Sequence, residues 1–149
     1  MSDPGGVNAV GRMLGLVGDE WTLLIAQQAL LGITRYGDFA ARLPISHAVL
    51  SRRLTAMTGD GLLARGRYQD KPPRYEYVLT PRGEALFHLV VALREWGADN
   101  AFDDKEPRST YVDARTGGSL PRLRYETPDG DEVRPEHTHP VRPAGWTSP

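Results

Sequence analysis

The sequence predicts a mainly α chain of the α+β type, with one β-hairpin and a small β-rich C-terminal appendage. Three observations carry that prediction. Apolar residues recur at helical spacing over most of the chain up to Asn100. The stretch from Leu62 to Thr80 instead alternates on either side of the polar, proline-containing turn QDKPPR. Beyond Asn100 the composition shifts toward proline and glycine, with Leu120 and Leu123 as the only leucines. The chain is therefore expected to divide into a domain at 7–100 and a Pro/Gly-rich extension at 101–149.

The elements follow in order. Met1 to Gly6 reads as a loose terminus. Val7, Val10, Leu14 and Val17 keep the spacing of a short amphipathic helix, weakened by Gly11 and Gly15. Gly18 breaks it, and Asp19 can cap the next helix. That helix runs from Glu20 to Gly32, is apolar on most sides, and is expected to be buried. Arg35 to Leu43 makes a third helix, with Tyr36, Phe39 and Leu43 on one side, and Pro44 ends it. Ser46 suits the N-cap of a fourth, from His47 to about Met57.

On that fourth helix Leu50, Leu54 and Met57 cluster on one face. Ala48, Ser51, Arg52 and Thr55 point the opposite way, and Arg53 lies on the flank. GDGLL ends the helix and opens a strand from Leu62 to Tyr68; Tyr75 to Thr80 is the return strand. Thr80 and Pro81 start a last helix, an N-cap threonine with proline at the first helical position, and it continues to Gly97. Its apolar stripe of Leu86, Leu89, Val90, Leu93 and Trp96 is broad for so small a domain, which predicts a partner helix from a second copy. In the extension YVDA, LRYE and DEVR are candidate short strands, and PDG supplies a tight hairpin turn.

Composition excludes several classes. The chain has 149 residues, of which 40% are hydrophobic and 25% charged, the make-up of a soluble globular protein. No apolar run approaches the ~18 residues of a membrane span, and the N-terminus MSDPGGVNAV lacks a signal-peptide layout. There is no cysteine, so disulfides, thiol redox sensing and thiolate metal sites are all excluded; a cytoplasmic location fits. Net charge is −1. From Ala9 to Gly97, however, eleven Arg and Lys face eight Asp and Glu, while from Ala98 to Pro149 seven face ten. Any nucleic-acid contact should come from a patch in the first part.

The short link around Pro44 and Ile45 holds the third and fourth helices as a helix-turn-helix, and the hairpin after them is placed as a wing. A helix fits the major groove of DNA, where base edges are distinguishable, and the hairpin turn can reach the neighbouring backbone or minor groove. Arg52 is then the candidate base reader, with Ala48, Ser51 and Thr55 beside it. Arg53 is expected to meet phosphate or an acidic neighbour, and His47 the DNA backbone. Arg35, Tyr36 and Ser46 stand where phosphate would lie. At the wing, Lys71 and Arg74 are preferred to Arg65 and Arg67, which can simply keep a strand face solvated.

These residues carry a resemblance. The signatures GDEWTLL (Gly18 to Leu24), RYGDF (Arg35 to Phe39), ISHAVLSRRL (Ile45 to Leu54), GDGLL (Gly59 to Leu63) and PPRYEYVLTPRG (Pro72 to Gly83) resemble, in the right order, the HxlR family of bacterial winged helix-turn-helix transcription regulators, relatives of the MarR type. The resemblance covers roughly residues 9–97. It implies a homodimer built from the N-terminal helix and residues 81–97, binding a two-fold double-stranded DNA operator. Family members that sense oxidants use a cysteine near the first helix, which this chain lacks. Residues 110–143 are distantly similar to an extension of some actinobacterial relatives in which cysteines suggest a zinc ribbon; here Thr116 and its neighbours offer none.

Other readings are weaker. Trp21 and Trp96 sit on helix stripes and fit a core or dimer interface better than a ligand pocket. Carboxylates are dispersed, so no catalytic pair is expected and no enzyme is predicted. Glu136, His137 and His139 are a poor metal signal, and neither a metal nor a cofactor is expected. Whether a small-molecule effector acts on the protein is left open by the residues. The alternative function is a winged-helix module turned to small-molecule or protein binding, with weak DNA affinity.

Overall fold

The structure is a computed structural model and describes residues 9–101, 111–139 and 141. The first elements are α1 (Ala9–Val17), α2 (Thr22–Leu30), α3 (Tyr36–Arg42) and α4 (His47–Gly59). The hairpin of β1 (Leu63–Gln69) and β2 (Arg74–Leu79) follows, then α5 (Pro81–Glu84) and α6 (Phe87–Asn100). Val7, the first residue of the expected apolar stripe, lies outside the described residues, as does Met1 to Gly6.

Several helix ends have a local chemical reason. Asp19 caps the entry to α2: its carboxylate accepts the Trp21 and Thr22 backbone N–H groups, each at 2.9 Å, together with the Thr22 hydroxyl. Leu43, the residue before Pro44, is extended and ends α3. Ser46 caps α4, its hydroxyl oxygen accepting from the Val49 N–H at 3.3 Å. That helix runs to Gly59, two residues past the expected end. Gly61, with φ 72°, then makes the left-handed turn into β1, a conformation only glycine adopts freely.

The inward face of α4 is as predicted, with Leu50, Leu54 and Met57 buried. They join Val17, Ile25, Phe39, Leu62, Leu63 and Leu86 in one apolar core. The expectation for α2 holds in part. Ile25 and Ala26 are buried, but Leu24 and Leu31 are exposed. On α1 the stripe splits in the same way, since Val17 enters the core while Val10 and Leu14 remain 68% and 60% exposed.

The strands are antiparallel, with Leu63 opposite Leu79, Arg65 opposite Tyr77 and Arg67 opposite Tyr75, and the register shifts between Arg67 and Gln69. The chain between α2 and α3 adds a short third edge that the sequence pattern hides. The Tyr77 N–H donates to the Thr34 carbonyl at 2.7 Å, and Arg35 bridges Glu76.

The last helix differs from the single span expected over Pro81 to Gly97. It is two helices, α5 and α6, with a tight turn between them in which the Leu86 N–H donates to the Gly83 carbonyl at 3.0 Å. The cause is tertiary. Gly83 lies so close to β1 that a Cβ there would stand 2.1 Å from the Leu62 carbonyl oxygen. Thr80 caps α5 as predicted, accepting from the Gly83 N–H at 3.1 Å, and its hydroxyl also donates to the Gly61 carbonyl.

Contacts divide the chain into a unit ending at Arg94 and a unit beginning at Glu95. In the second, the expected β-structure takes the form of isolated bridges, Val112 with Ser119 and Glu126 with Glu132, closed by tight turns. The PDG hairpin is one of them, with the Thr127 N–H donating to the Asp131 carbonyl at 2.8 Å and Gly130 at φ 90°. Continuous strands do not form over the described residues of this region because none of its side chains is fully buried. A sheet there would have no apolar face to cover.

Candidate nucleic-acid interface

The helix-turn-helix presents one outward face. His47, Ala48, Ser51, Arg52 and Thr55 are exposed along α4, opposite Leu50, Leu54 and Met57. Arg52 has no ion-pair partner among the described residues. Arg53 is different. Its Nη1 lies 3.2 Å from Asp19 Oδ2, and its side chain is only 29% exposed. Its Nε is buried without a hydrogen-bond partner among the described residues. Of the two partners expected for Arg53, the structure holds the acidic one, and the residue spans from α4 to the α2 cap.

Asp19 is electrostatically suited to that role. Burial pushes its carboxyl pKa up, but the Thr22 hydroxyl, the backbone N–H groups of Trp21 and Thr22 and the Arg53 guanidinium outweigh this. The net result lies below the ordinary 3.8. Asp19 therefore stays ionised and keeps Arg53 in place at neutral pH.

The first turn of α4 is organised by Tyr36. Its hydroxyl lies 3.0 Å from His47 Nδ1, donates to the His47 carbonyl at 3.0 Å, and accepts from the Ser51 hydroxyl at 3.3 Å. The Tyr36 ring stacks on the His47 imidazole at 5.7 Å between centroids. Thr55 turns its hydroxyl back to the Ser51 carbonyl at 2.9 Å, which leaves its methyl group outward. Ser46 is engaged as the cap of α4. The sequence places all these residues correctly but gives no sign of the network that joins them.

The wing adds a second set of cations. Lys71 and Arg74 are exposed at the turn, as expected. Arg67 folds back on that turn, donating to the Asp70 carbonyl at 2.8 Å and pairing with its carboxylate at 3.3 Å. Arg35 and Arg65 are held by rings instead. The Arg35 guanidinium carbon stands 4.6 Å from the Tyr68 ring centroid and that of Arg65 3.6 Å from Tyr75. Tyr36, Tyr68, Pro73, Arg74, Tyr75 and Tyr77 line an open groove of about 380 Å³. The sequence places Arg65 on the hairpin but does not show its stack on a wing tyrosine. The signal was present as two tyrosines on one face of a strand whose cross-strand partners are arginines.

A helix capped by serine, an outward polar face and a basic wing make a winged helix-turn-helix, and comparison with known proteins gives its kin. The family model of the HxlR-like helix-turn-helix matches residues 16–105. The chain belongs to that family. An uncharacterised HTH-type transcriptional regulator of Mycobacterium tuberculosis is 45% identical over 89 residues, which cover 60% of this chain and 56% of the relative. The match thus spans about half the length of that relative. The HTH-type regulator YybR of Bacillus subtilis, also uncharacterised, is 31% identical over 88 residues, 58% of this chain and 70% of the relative.

Among solved structures, PA1607, a candidate transcription factor, aligns with a TM-score of 0.84 at 34% identity, covering 91% of this chain and 95% of the other. The redox regulator HypR in its reduced form aligns at 0.60 with 29% identity, covering 63% of this chain and 94% of its own. PA1607 thus has a counterpart for most of this HxlR-like chain, whereas HypR matches only about two-thirds of it. Among the described residues no helix is long and apolar enough to cross a membrane.

Proposed function

We propose that this HxlR-like chain is a sequence-specific DNA-binding transcriptional regulator that acts as a homodimer on a two-fold operator in the cytoplasm, with no catalytic activity of its own. The observation that carries the reading is the contrast between two adjacent arginines. Arg53 is turned inward and neutralised by Asp19, whereas Arg52 stands outward with no acidic partner among the described residues. A guanidinium left free on the exposed face of a helix-turn-helix is suited to grip guanine through two hydrogen bonds. Ala48, Ser51 and Thr55 surround it with side chains small enough for close approach. His47, Lys71, Arg74 and Arg35 supply backbone contacts, Tyr36 and Ser46 hold the first turn of α4 in shape, and Arg53 fixes the helix beneath.

The dimer is supported by apolar residues left in water. Val10 and Leu14 on α1, and Leu93 and Trp96 on α6, are exposed, Trp96 to 65%. With no cysteine, any response to a signal runs through a ligand or a partner and not through a thiol.

The test is a titration against the gene's own upstream DNA at two salt concentrations, with scrambled duplex as competitor and light scattering for mass. Tight, salt-sensitive and competitor-resistant binding by a dimer is expected. Equal affinity for scrambled DNA would move the weight to a winged-helix module repurposed for small-molecule or protein binding. A monomeric mass at micromolar concentration would remove the dimer.

A further inference from the structure

We propose that the tyrosine-lined groove between the start of α3 and the wing seats one sugar–phosphate strand of DNA, and that Arg35 and Arg65, stacked on Tyr68 and Tyr75, are its phosphate clamps. This rests on the DNA-binding reading above, gives Arg35 a seat within it, and adds Arg65, Tyr68 and Tyr75, which that reading does not use.

The wing cations are held in two different ways. A carboxylate holds an arginine by occupying its N–H groups, as Asp70 and the turn carbonyls do for Arg67. An aromatic ring holds a guanidinium through its face and leaves the N–H groups at the edge free. Arg65 over Tyr75 and Arg35 over Tyr68 are held in this second way, and neither has an ion-pair partner among the described residues. Both are therefore restrained in position yet keep their donors for an incoming anion. Phosphate, which takes two parallel N–H bonds from one guanidinium, is the anion whose geometry fits.

The walls of the groove point to the same occupant. Arg74 lines the groove, Arg35 and Arg65 stack on two of its lining rings, Tyr68 and Tyr75, and Tyr68 and Tyr77 offer hydroxyls that can bond to phosphate oxygens. The groove is open along its length, whereas small-molecule sites enclose most of their ligand. A strand that passes through is matched by such a shape. Tyr36 also joins the groove to the reading face, since its hydroxyl contacts both His47 and Ser51. A phosphate seated there would lie beside the first turn of α4.

The experiment measures operator and scrambled-DNA affinity over a salt series for wild type and five variants. Arg65→Ala should bind both duplexes roughly tenfold more weakly, and its slope of log affinity against log salt should fall by about 0.9, as for one lost phosphate contact. Arg67→Ala, two residues along the same strand and already paired with the Asp70 carboxylate, should keep the wild-type slope. Tyr75→Phe preserves the ring and the stack, and should weaken binding less than loss of the ring does. Tyr75→Leu keeps every charge but removes the stack, and should weaken binding about threefold. Arg65→Ala/Tyr75→Leu together should be no weaker than Arg65→Ala alone, because both changes remove one interaction.

The inference is overturned if Arg65→Ala keeps the wild-type slope, if Arg67→Ala loses as much slope as Arg65→Ala, or if Tyr75→Leu matches wild type. Loss of specific binding by the wild-type protein itself would instead strike the DNA-binding reading, so the two failures are distinct. Thermal melting of each variant at the wild-type temperature confirms that the fold is intact.

Discussion

The unit ending at Arg94 and the unit beginning at Glu95 are held together by different physics. The first excludes Ile25, Phe39, Leu50 and Leu54 from water completely and ties its helices to that apolar core. In the second, no described side chain from Tyr111 to His139 is fully buried. Its order comes from turns and from exposed ion pairs. Asp113 takes two bonds from the Arg115 guanidinium, at 2.7 and 3.0 Å. Arg122 grips Asp99 at 2.6 and 2.8 Å, and the Leu123 N–H donates to Glu95 on the same helix at 3.1 Å. Apolar burial has no charge to screen or to titrate, whereas exposed pairs are weak singly and screened by salt. The difference teaches that α4 rests on an apolar base, whereas the described residues of the second unit depend on turns and on pairs that salt can screen.

The sharpest way to break that comparison is to hollow the core. Leu54→Ala should cost about 2–5 kcal/mol in denaturant unfolding, since Leu54 is wholly buried on the inner face of α4. Tyr125→Ser in the second unit, at a residue 83% exposed, should change stability by less than about 0.5 kcal/mol. Similar costs at the two sites would refute the contrast.

A smaller effect is expected where charge supports the core from outside. Asp19→Ala removes the acceptor of two backbone N–H groups, the Thr22 hydroxyl and Arg53, and should cost about 1–3 kcal/mol by the same measurement. Because the folded Asp19 carboxyl lies below its unfolded value of 3.8, its contribution is fully present above that pH and is lost as pH falls through the folded value. Acid should therefore destabilise wild type more steeply than Asp19→Ala below about pH 4; parallel curves would show that Asp19 is not protected.

The smallest effect is local to the second unit. The Arg115 side chain and N–H hold the Asp113 carboxyl below 3.8. The sign is the same, so the turn from Asp113 to Gly118 keeps its pairing above that pH and loosens below it. Arg115→Ala should move the Asp113 titration, followed by NMR, upward toward 3.8, with no change in the melting of the first unit. An unmoved titration would remove the pair as the cause.

Much of the first unit was legible in the sequence because helical periodicity is a local signal. The inner and outer faces of α4 follow from spacing alone, and the Ser46 and Thr80 caps from residue type. What was hidden depends on distant partners. The break between α5 and α6 arises because Gly83 must pass the Leu62 carbonyl, and no pattern near Gly83 states this. Arg53 could be placed on the flank, but only the fold brings Asp19 to it. The stack of Arg65 on Tyr75 was hidden because this diagonal pairing depends on strand register, which the alternation of residues leaves free. Tyr36 sits eleven residues from His47, and its hydroxyl finds that residue only once α3 and α4 are packed.

The measurement that tests the account most directly is the operator preference of Arg52→Ala, read as the ratio of affinities for operator and scrambled duplex beside the wild type. If the outward face of α4 reads bases, the substitution costs about 1–3 kcal/mol on operator and little on scrambled DNA, so the preference collapses. An Arg52→Ala protein that keeps the wild-type preference would contradict the assignment of that face as the reading surface.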